Sequence, residues 1–247
     1  MTNFSYGADI ELFIQGSGGD IVLAEVACPL LTDVPNNHEL GLNIDGACLE
    51  YHVPVCNGLV EFTHALRDSI HAISEAVKQQ GYTVALLPAH SFLEQELVSS
   101  KYGQKFGCKP DYNTYSPGHC RRLKACDYGS LRTAGGHLHI GLPKDRELSL
   151  PSVVKILDAL LVPFWNEESP RTALFPAGTF RPTPYGLEYR TLDNSWCDGY
   201  SSQLRRVIQA LQKLEDGWAN MQVLEAELCH CTSPSEAMLT LDDHYLL

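Results

Sequence analysis

Three short stretches of this 247-residue chain pair polar side chains two positions apart around an apolar or aromatic residue: Asp9-Ile10-Glu11, His137-Leu138-His139 and Glu188-Tyr189-Arg190. On a β-strand alternate residues share a face, so each pair would show both its groups to one side while the interleaved residue packs on the other. One such pair is ordinary on the wet face of an antiparallel sheet. Three of them, built from carboxylates, imidazoles and a guanidinium, point to a site. Gly135-Gly136 before the histidines and Gly141 after them fit close approach of backbone or ligand. Asp45-Gly46 reads first as a turn, and Glu50 enters the strand that follows. Two or three carboxylates with an imidazole form a set for a hard divalent cation, Mg²⁺ by its preference for oxygen or Mn²⁺ by its tolerance of mixed oxygen and nitrogen ligands.

Basic residues collect in segments without helical or strand period: Lys101, Lys105, Lys109, Arg121, Arg122, Lys124, Arg132, Arg171, Arg181 and Arg190. Arginine grips phosphate and carboxylate bidentately, so arginines beside glycine-rich, strand-flanking loops suggest an anionic ligand. Lys101, Lys105 and Lys124 read instead as solvated surface. The chain has no GxxxxGK[ST], GxGxxG, GxSxG or HExxH, which removes the P-loop, dinucleotide-binding, nucleophile-elbow and zincin readings. His137, His139 and Glu188 would also suit an iron- or manganese-dependent oxygenase or hydrolase. A cupin would place its acidic ligand soon after the histidines, where Pro143 and Lys144 stand.

Lys and Arg total 18 against 30 Asp and Glu, a formal net charge of −12 that opposes general nucleic-acid binding. Hydrophobic residues make up 44% and charged residues 19%, which excludes disordered and fibrous classes. No apolar run approaches the ~20 residues of a membrane span, and MTNFSYGADIELF carries no secretory signal pattern. Nine cysteines without a CxxC spacing fit reduced thiols in a cytoplasmic protein. Cys229-His230-Cys231 is too tight for one zinc ion, and Cys108, Cys120 and Cys126 lie in an irregular stretch.

The elements that must position these groups follow from periodicity. Strands are predicted at 4–13, 48–55, 82–87, 137–142 and 187–192, with residues 21–26 as a hairpin partner of the first. A helix capped by Asn57 carries Leu59, Phe62, Leu66, Ile70, Ile73 and Val77 and stops at Gly81. A second starts at Ser149 and buries Val153, Ile156, Leu157, Leu160 and Phe164; the last runs from about 201 to 228 along Leu204, Val207, Leu211, Leu214, Trp218 and Met221. That final stripe suits intramolecular packing first and a homo-oligomer interface second. Residues 99–132 and 167–186 show neither period, and a loop as long as the first is usually functional. The order of elements predicts an α+β fold: one domain over residues 1–247, with helices packed on a mainly antiparallel sheet.

Taken together, GADIELF (7–13), DGACLEYHVP (45–54), GCKPDYNTYS (107–116), RTAGGHLHIGLP (132–143) and AGTFRPTPYGLEYRTLDNSW (177–196) resemble the type 2 carboxylate–amine ligases (amidoligases) of phage and bacterial genomes, in the glutamine synthetase and glutamate–cysteine ligase superfamily. The resemblance implies a curved antiparallel sheet, helices on its convex face, and ATP with Mg²⁺ or Mn²⁺ on its concave face. By motif position it implies metal ligands at Asp9, Glu11, Glu50, His137 and Glu188. Asp9 stands where the superfamily often has a longer glutamate. It also implies nucleotide contacts from His139, Arg171 and Arg132, and catalytic roles for Arg181, Arg190 and Glu50. The expected reaction joins a small-molecule or peptide carboxylate to an amine through an acyl phosphate, with residues 99–132 as a lid. A relative that keeps the scaffold and binds nucleotide without catalysis is the further alternative.

Overall fold

The computed structural model describes residues 4–27, 41–104, 111–116, 129–144, 149–164 and 169–244. Lys105, Lys109, Arg121, Arg122, Lys124, Cys108, Cys120, Cys126 and most of the expected lid lie outside the described residues.

The long first strand, β1 (Ser5–Gln15), alternates Tyr6, Ala8, Ile10 and Leu12 with Gly7, Asp9 and Glu11. It is the centre of the fold. On one flank it pairs with β4 (Cys48–Cys56), which pairs in turn with β3 (Leu42–Asp45). On the other it pairs with β9 (Gly136–Gly141), followed by β11 (Gly186–Tyr189), β10 (Thr179–Thr183) and β7 (Tyr112–Asn113). Its far end also pairs with β2 (Ile21–Val22) and β5 (Thr83–Ala85). Every one of these pairings is antiparallel, as expected. β6 (Ala89–Ser91) and β8 (Leu131–Thr133) form a separate two-stranded sheet.

The even-numbered residues of β1, with Leu49, Tyr51 and Val53 of β4, Leu138 and Ile140 of β9, and Leu187 and Tyr189 of β11, are buried in one apolar cluster. Helices close this face: α2 (Leu59–Gln79), α4 (Leu150–Leu161), α6 (Ser202–Gly217), α7 (Met221–Leu228) and α8 (Pro234–His244). The shorter α1 (Ala24–Ala27), α3 (Glu94–Ser99) and α5 (Pro170–Leu174) sit in connections. Helix α4 is buried nearly all round, including Lys155, whose Nζ donates to the carbonyls of Leu228 and Cys231, each at 2.7 Å. The Leu228 carbonyl ends α7 and that of Cys231 lies just beyond it, so the buried ammonium caps the helix.

Several boundaries differ from the sequence reading. Gly58, at φ 123°, occupies the cap position of α2, and Asn57 donates its backbone N–H to the Glu61 carboxylate at 2.6 Å. Only Ile21 and Val22 pair with β1, because Ala24–Ala27 turns helical. The final helix breaks at Gly217 into a 3₁₀ turn, Trp218–Asn220, before α7 resumes. Trp218 is buried, its ring edge-to-face with Phe4 at 4.9 Å, so the stripe packs within the chain. Strand β10 lies inside a stretch read as irregular, where Pro182 masks the alternation. Among the described residues no helix is long and apolar enough to cross a membrane. Cys48, Cys56, Cys197, Cys229 and Cys231 are free thiols.

Among the described residues, helix α4 carries a carboxyl group into the core. Asp158 of α4 is fully buried and accepts from the Tyr189 hydroxyl at 2.6 Å. Burial pushes its pKa up to about 7, against the pull of that hydrogen bond. A carboxyl raised in the folded state favours folding below its unfolded value and loses that contribution as pH rises through the folded one. Relative to Asp158→Asn, the wild-type melting temperature should therefore fall between about pH 4 and pH 7, by roughly 10 °C. Calorimetric melts of both proteins across that range check this.

Candidate functional site

Antiparallel registry decides which side chains share the uncovered face. Opposed residues point the same way, so rows can be read across the sheet. Gly7, His139, Glu188 and Arg181 form one row. His52, Asp9 and His137 form the next, and Asn43, Glu50 and Glu11 the one after. All three sequence dyads thus lie side by side on one face. Beyond Glu11, Phe13 ends the polar patch by packing into a small apolar cluster with Leu23, Phe92 and Leu97.

On the flank of β9, β11 and β10 the carboxylates are matched by arginines. Arg190 donates to Glu188 through Nη1 and lies 3.2 Å from Asp111 through Nε. Arg181 bridges the same two acids, at 2.9 Å to Glu188 and 3.1 Å to Asp111. Arg171 reaches in from α5, its Nη1 3.8 Å from Glu11 and its Nε donating to the Leu192 carbonyl at 3.0 Å. His137 lies between Arg171 (2.9 Å from Nε2) and Arg190 (3.1 Å from Nδ1). Burial, with Arg190 and then Arg171 beside it, holds this imidazole well below its ordinary pKa, so it is neutral. Glu11 is further fixed by the Gly135 N–H at 2.5 Å. A side chain at Gly135 would collide with Arg171 and His137, which gives the glycine before the His pair its reason.

On the flank of β1, β4 and β3 the acids are crowded together. Oxygens of Glu11, Asp45 and Glu50 lie within 4.8 Å of one another, as do ligand atoms of Asp9, Glu50 and His137, and of Asp9, His139 and Glu188. Burial, then repulsion from Glu11, Asp45 and Asp9, pushes the Glu50 carboxyl up to about 8, His52 opposing. Burial raises Glu11 too, with Arg171 pulling against it. Asp9 goes the other way: burial works against its charge, but hydrogen bonds from His139 (2.9 Å) and His52 (2.6 Å) hold it well below the usual carboxylate range. The donors are nearly all oxygens, and several acids share one small space. That set fits hard divalent cations such as Mg²⁺ or Mn²⁺.

Asp9, Glu11, Glu50, His137, His139, Glu188, Arg171, Arg181 and Arg190 are therefore brought together. Arg132 stands apart on β8, outside the main sheet, donating to the carbonyls of Gly103, Gly129 and Leu131 at 2.7–2.9 Å. Residues not singled out in the sequence also belong to the face: His52, Asn43, Asp111 and Tyr185. His52 could have been found, since it follows Glu50 at the same two-residue spacing as the other dyads. Asp111 sits next to the two-residue strand β7, which has no readable period.

No family model matches this chain, and no curated protein matches it. Among solved structures it is similar to a bifunctional glutathione synthetase from Pasteurella multocida, at 13% identity and a TM-score of 0.49. That likeness covers 92% of this chain, and the chain spans 40% of the length of that protein.

A proton on Glu50 competes with any cation that takes its place. With a pKa of about 8, Glu50 is mostly protonated at pH 7 in the metal-free protein. Mn²⁺ binding should then release close to one proton and tighten as pH rises from 6 to 8, by up to about tenfold per unit. Titration calorimetry in two buffers of different ionisation enthalpy checks both, and Glu50→Gln should remove the proton release.

Proposed function

We propose that the protein is an ATP-dependent carboxylate–amine ligase of the amidoligase type. The observation that carries this reading is the division of one sheet face into a crowded acidic flank and an arginine-rich flank, joined by Glu11, His137 and Glu188. A reaction that brings a carboxylate up to a triphosphate must overcome repulsion between anions. This face supplies both kinds of counter-charge, and the sequence motifs that resemble the amidoligases are the segments that build it.

In this reading Glu11, Glu50, His137 and Glu188 would hold the divalent cations, while Asp9, expected among them by motif, is taken up by His52 and His139. Bound there, such ions neutralise phosphate oxygens and draw electron density from the phosphorus. Arg181 and Arg190 are already held by Asp111 and Glu188, which leaves them little freedom to lose. They stabilise charge on the transferring phosphoryl group. Arg171, more deeply buried, lies against Glu11 and, after burial and Arg190, helps keep His137 neutral on the nucleotide side.

The chemistry balances simply. A substrate carboxylate oxygen bonds to the γ-phosphorus, and the bond from that phosphorus to the β-bridging oxygen breaks, releasing ADP. The ammonium gives one proton to solvent or buffer to expose its lone pair, the nitrogen then bonds to the acyl carbon, phosphate leaves with the former carboxylate oxygen, and the second surplus proton follows the first.

The iron-dependent alternative finds less support, because the ligand groups gathered on this face are mostly carboxylates, a set for hard cations rather than a two-histidine iron site. Glu188→Gln should lower amine-dependent ADP release by at least about 100-fold, in line with loss of a group that acts on the transferring phosphoryl. A coupled ADP assay over a panel of carboxylates and amines checks this; an unchanged rate overturns the role assigned to Glu188.

A further inference from the structure

Beside the charged rows the same face drops into a cavity of about 420 Å³, within the range that holds a small organic ligand. It exists because the next positions along the strands carry almost no side chain. Ser5 opposes Gly141 across β1 and β9, Gly141 opposes Gly186 across β11, and Gly7 opposes His139. Gly186, at φ 154°, holds a backbone conformation that side chains disfavour, and a Cβ there would lie 2.2 Å from the Ile140 carbonyl oxygen. Glycine on this edge is thus partly demanded by the chain itself, and it leaves a floor of bare backbone.

The walls differ sharply in character. Val55 (72% exposed) and Tyr185 (45% exposed) leave apolar surface at the rim. At the inner end stand Asp9, His52 and His139. They form a continuous chain: Tyr185 hydroxyl to His139 Nδ1 at 2.5 Å, His139 Nε2 to Asp9, Asp9 to His52 Nδ1, and His52 Nε2 to the Asn43 amide at 2.9 Å. Asp9 accepts one hydrogen bond on each oxygen and keeps lone pairs for another donor. No lysine or arginine is among the described residues that line the cavity. Arg171, Arg181 and Arg190 stand on the opposite flank.

We infer that this cavity is the amine subsite, taking a primary amine of compact, largely apolar body with its nitrogen towards Asp9. An anionic carboxylate would meet the Asp9 carboxylate there with no lysine or arginine beside it, only the His52 and His139 imidazoles already hydrogen-bonded to Asp9, whereas an ammonium gains a charge-assisted hydrogen bond and the body covers Val55 and Tyr185. The carboxylate substrate and the phosphates belong to the arginine flank, so the two reactants approach along the sheet face from opposite sides. Calling the amine a second substrate rests on the ligase reading; the preference of the cavity for an apolar ammonium does not.

The test uses the full chain with benzylamine and benzoate, two probes of like shape and opposite charge, in ligand-detected NMR titrations. Benzylamine should bind at least about tenfold more tightly than benzoate, with intermolecular NOEs from its ring to the Val55 methyls and the Tyr185 ring. A Cβ at Gly7 would sit 3.3 Å from the Val53 carbonyl oxygen and 3.7 Å from His139 Cβ. Gly7→Val should therefore fill the floor and weaken benzylamine roughly tenfold or more. If that variant does not fold, the wild-type NOEs decide. Benzoate binding as well as benzylamine, NOEs only to residues elsewhere, no benzylamine binding, or a folded Gly7→Val that binds normally would each overturn the inference. Calorimetry of Mg²⁺·ATP on the same samples separates the two readings. Nucleotide binding without the amine pattern removes this subsite alone, and the amine pattern without nucleotide binding keeps the subsite and removes the ligase.

Discussion

The crowding of carboxylates on one sheet face is the constraint around which the rest of this structure is arranged. Charged groups withdrawn from water are costly unless they are paired or neutralised. The fold uses two solutions side by side. Across β9, β11 and β10, Arg171, Arg181 and Arg190 are fixed on Glu11, Glu188 and Asp111. Across β1, β4 and β3, Glu11, Asp45 and Glu50 stay close, and a proton on Glu50 relieves the repulsion. The first solution is permanent and the second is exchangeable, which is what a site for loading and releasing cations requires.

The face can carry this charge because the opposite face packs on the apolar core. Tyr6, Ala8, Ile10 and Leu12 alternate with the functional residues of β1 and lock its register against β4 and β9. A slip by one residue would bury Asp9 and Glu11 among Leu138, Ile156 and Leu157, so the hydrophobic core and the site specify each other. Glycines refine the result where the backbone must come close: Gly135 makes room for Arg171 and His137, and Gly136 for Trp196.

Much of this was legible in the sequence, and particular residues show why. The i, i+2 pairs of β1, β9 and β11 announce both strand and facing, because the residue between each pair is apolar. Leu59 to Val77 and Leu204 to Leu214 give their helices through a stripe of the right period. Strand β10 was hidden by Pro182 and by its position in a segment rich in turn residues, yet it carries Arg181 into the face. Asp45 read as turn chemistry because the local signal of Asp-Gly outweighs anything a single residue can say about distant partners. Arg132 resembled a ligand-binding arginine by type and place, but its strand joins β6 and the small sheet, a pairing that no local pattern encodes. The part that periodicity does not reveal is which strands become neighbours.

The central claim is that the acidic flank takes divalent cations in company with a nucleotide. Anomalous diffraction from crystals of the full chain grown with Mn²⁺ and a non-hydrolysable ATP analogue tests it most directly. The account predicts manganese peaks about 2.0–2.3 Å from carboxylate oxygens of Glu50 and Glu188, with the analogue's γ-phosphate facing Arg181 or Arg190. A face without manganese under those conditions, or metal and nucleotide seated elsewhere on the molecule, would contradict it.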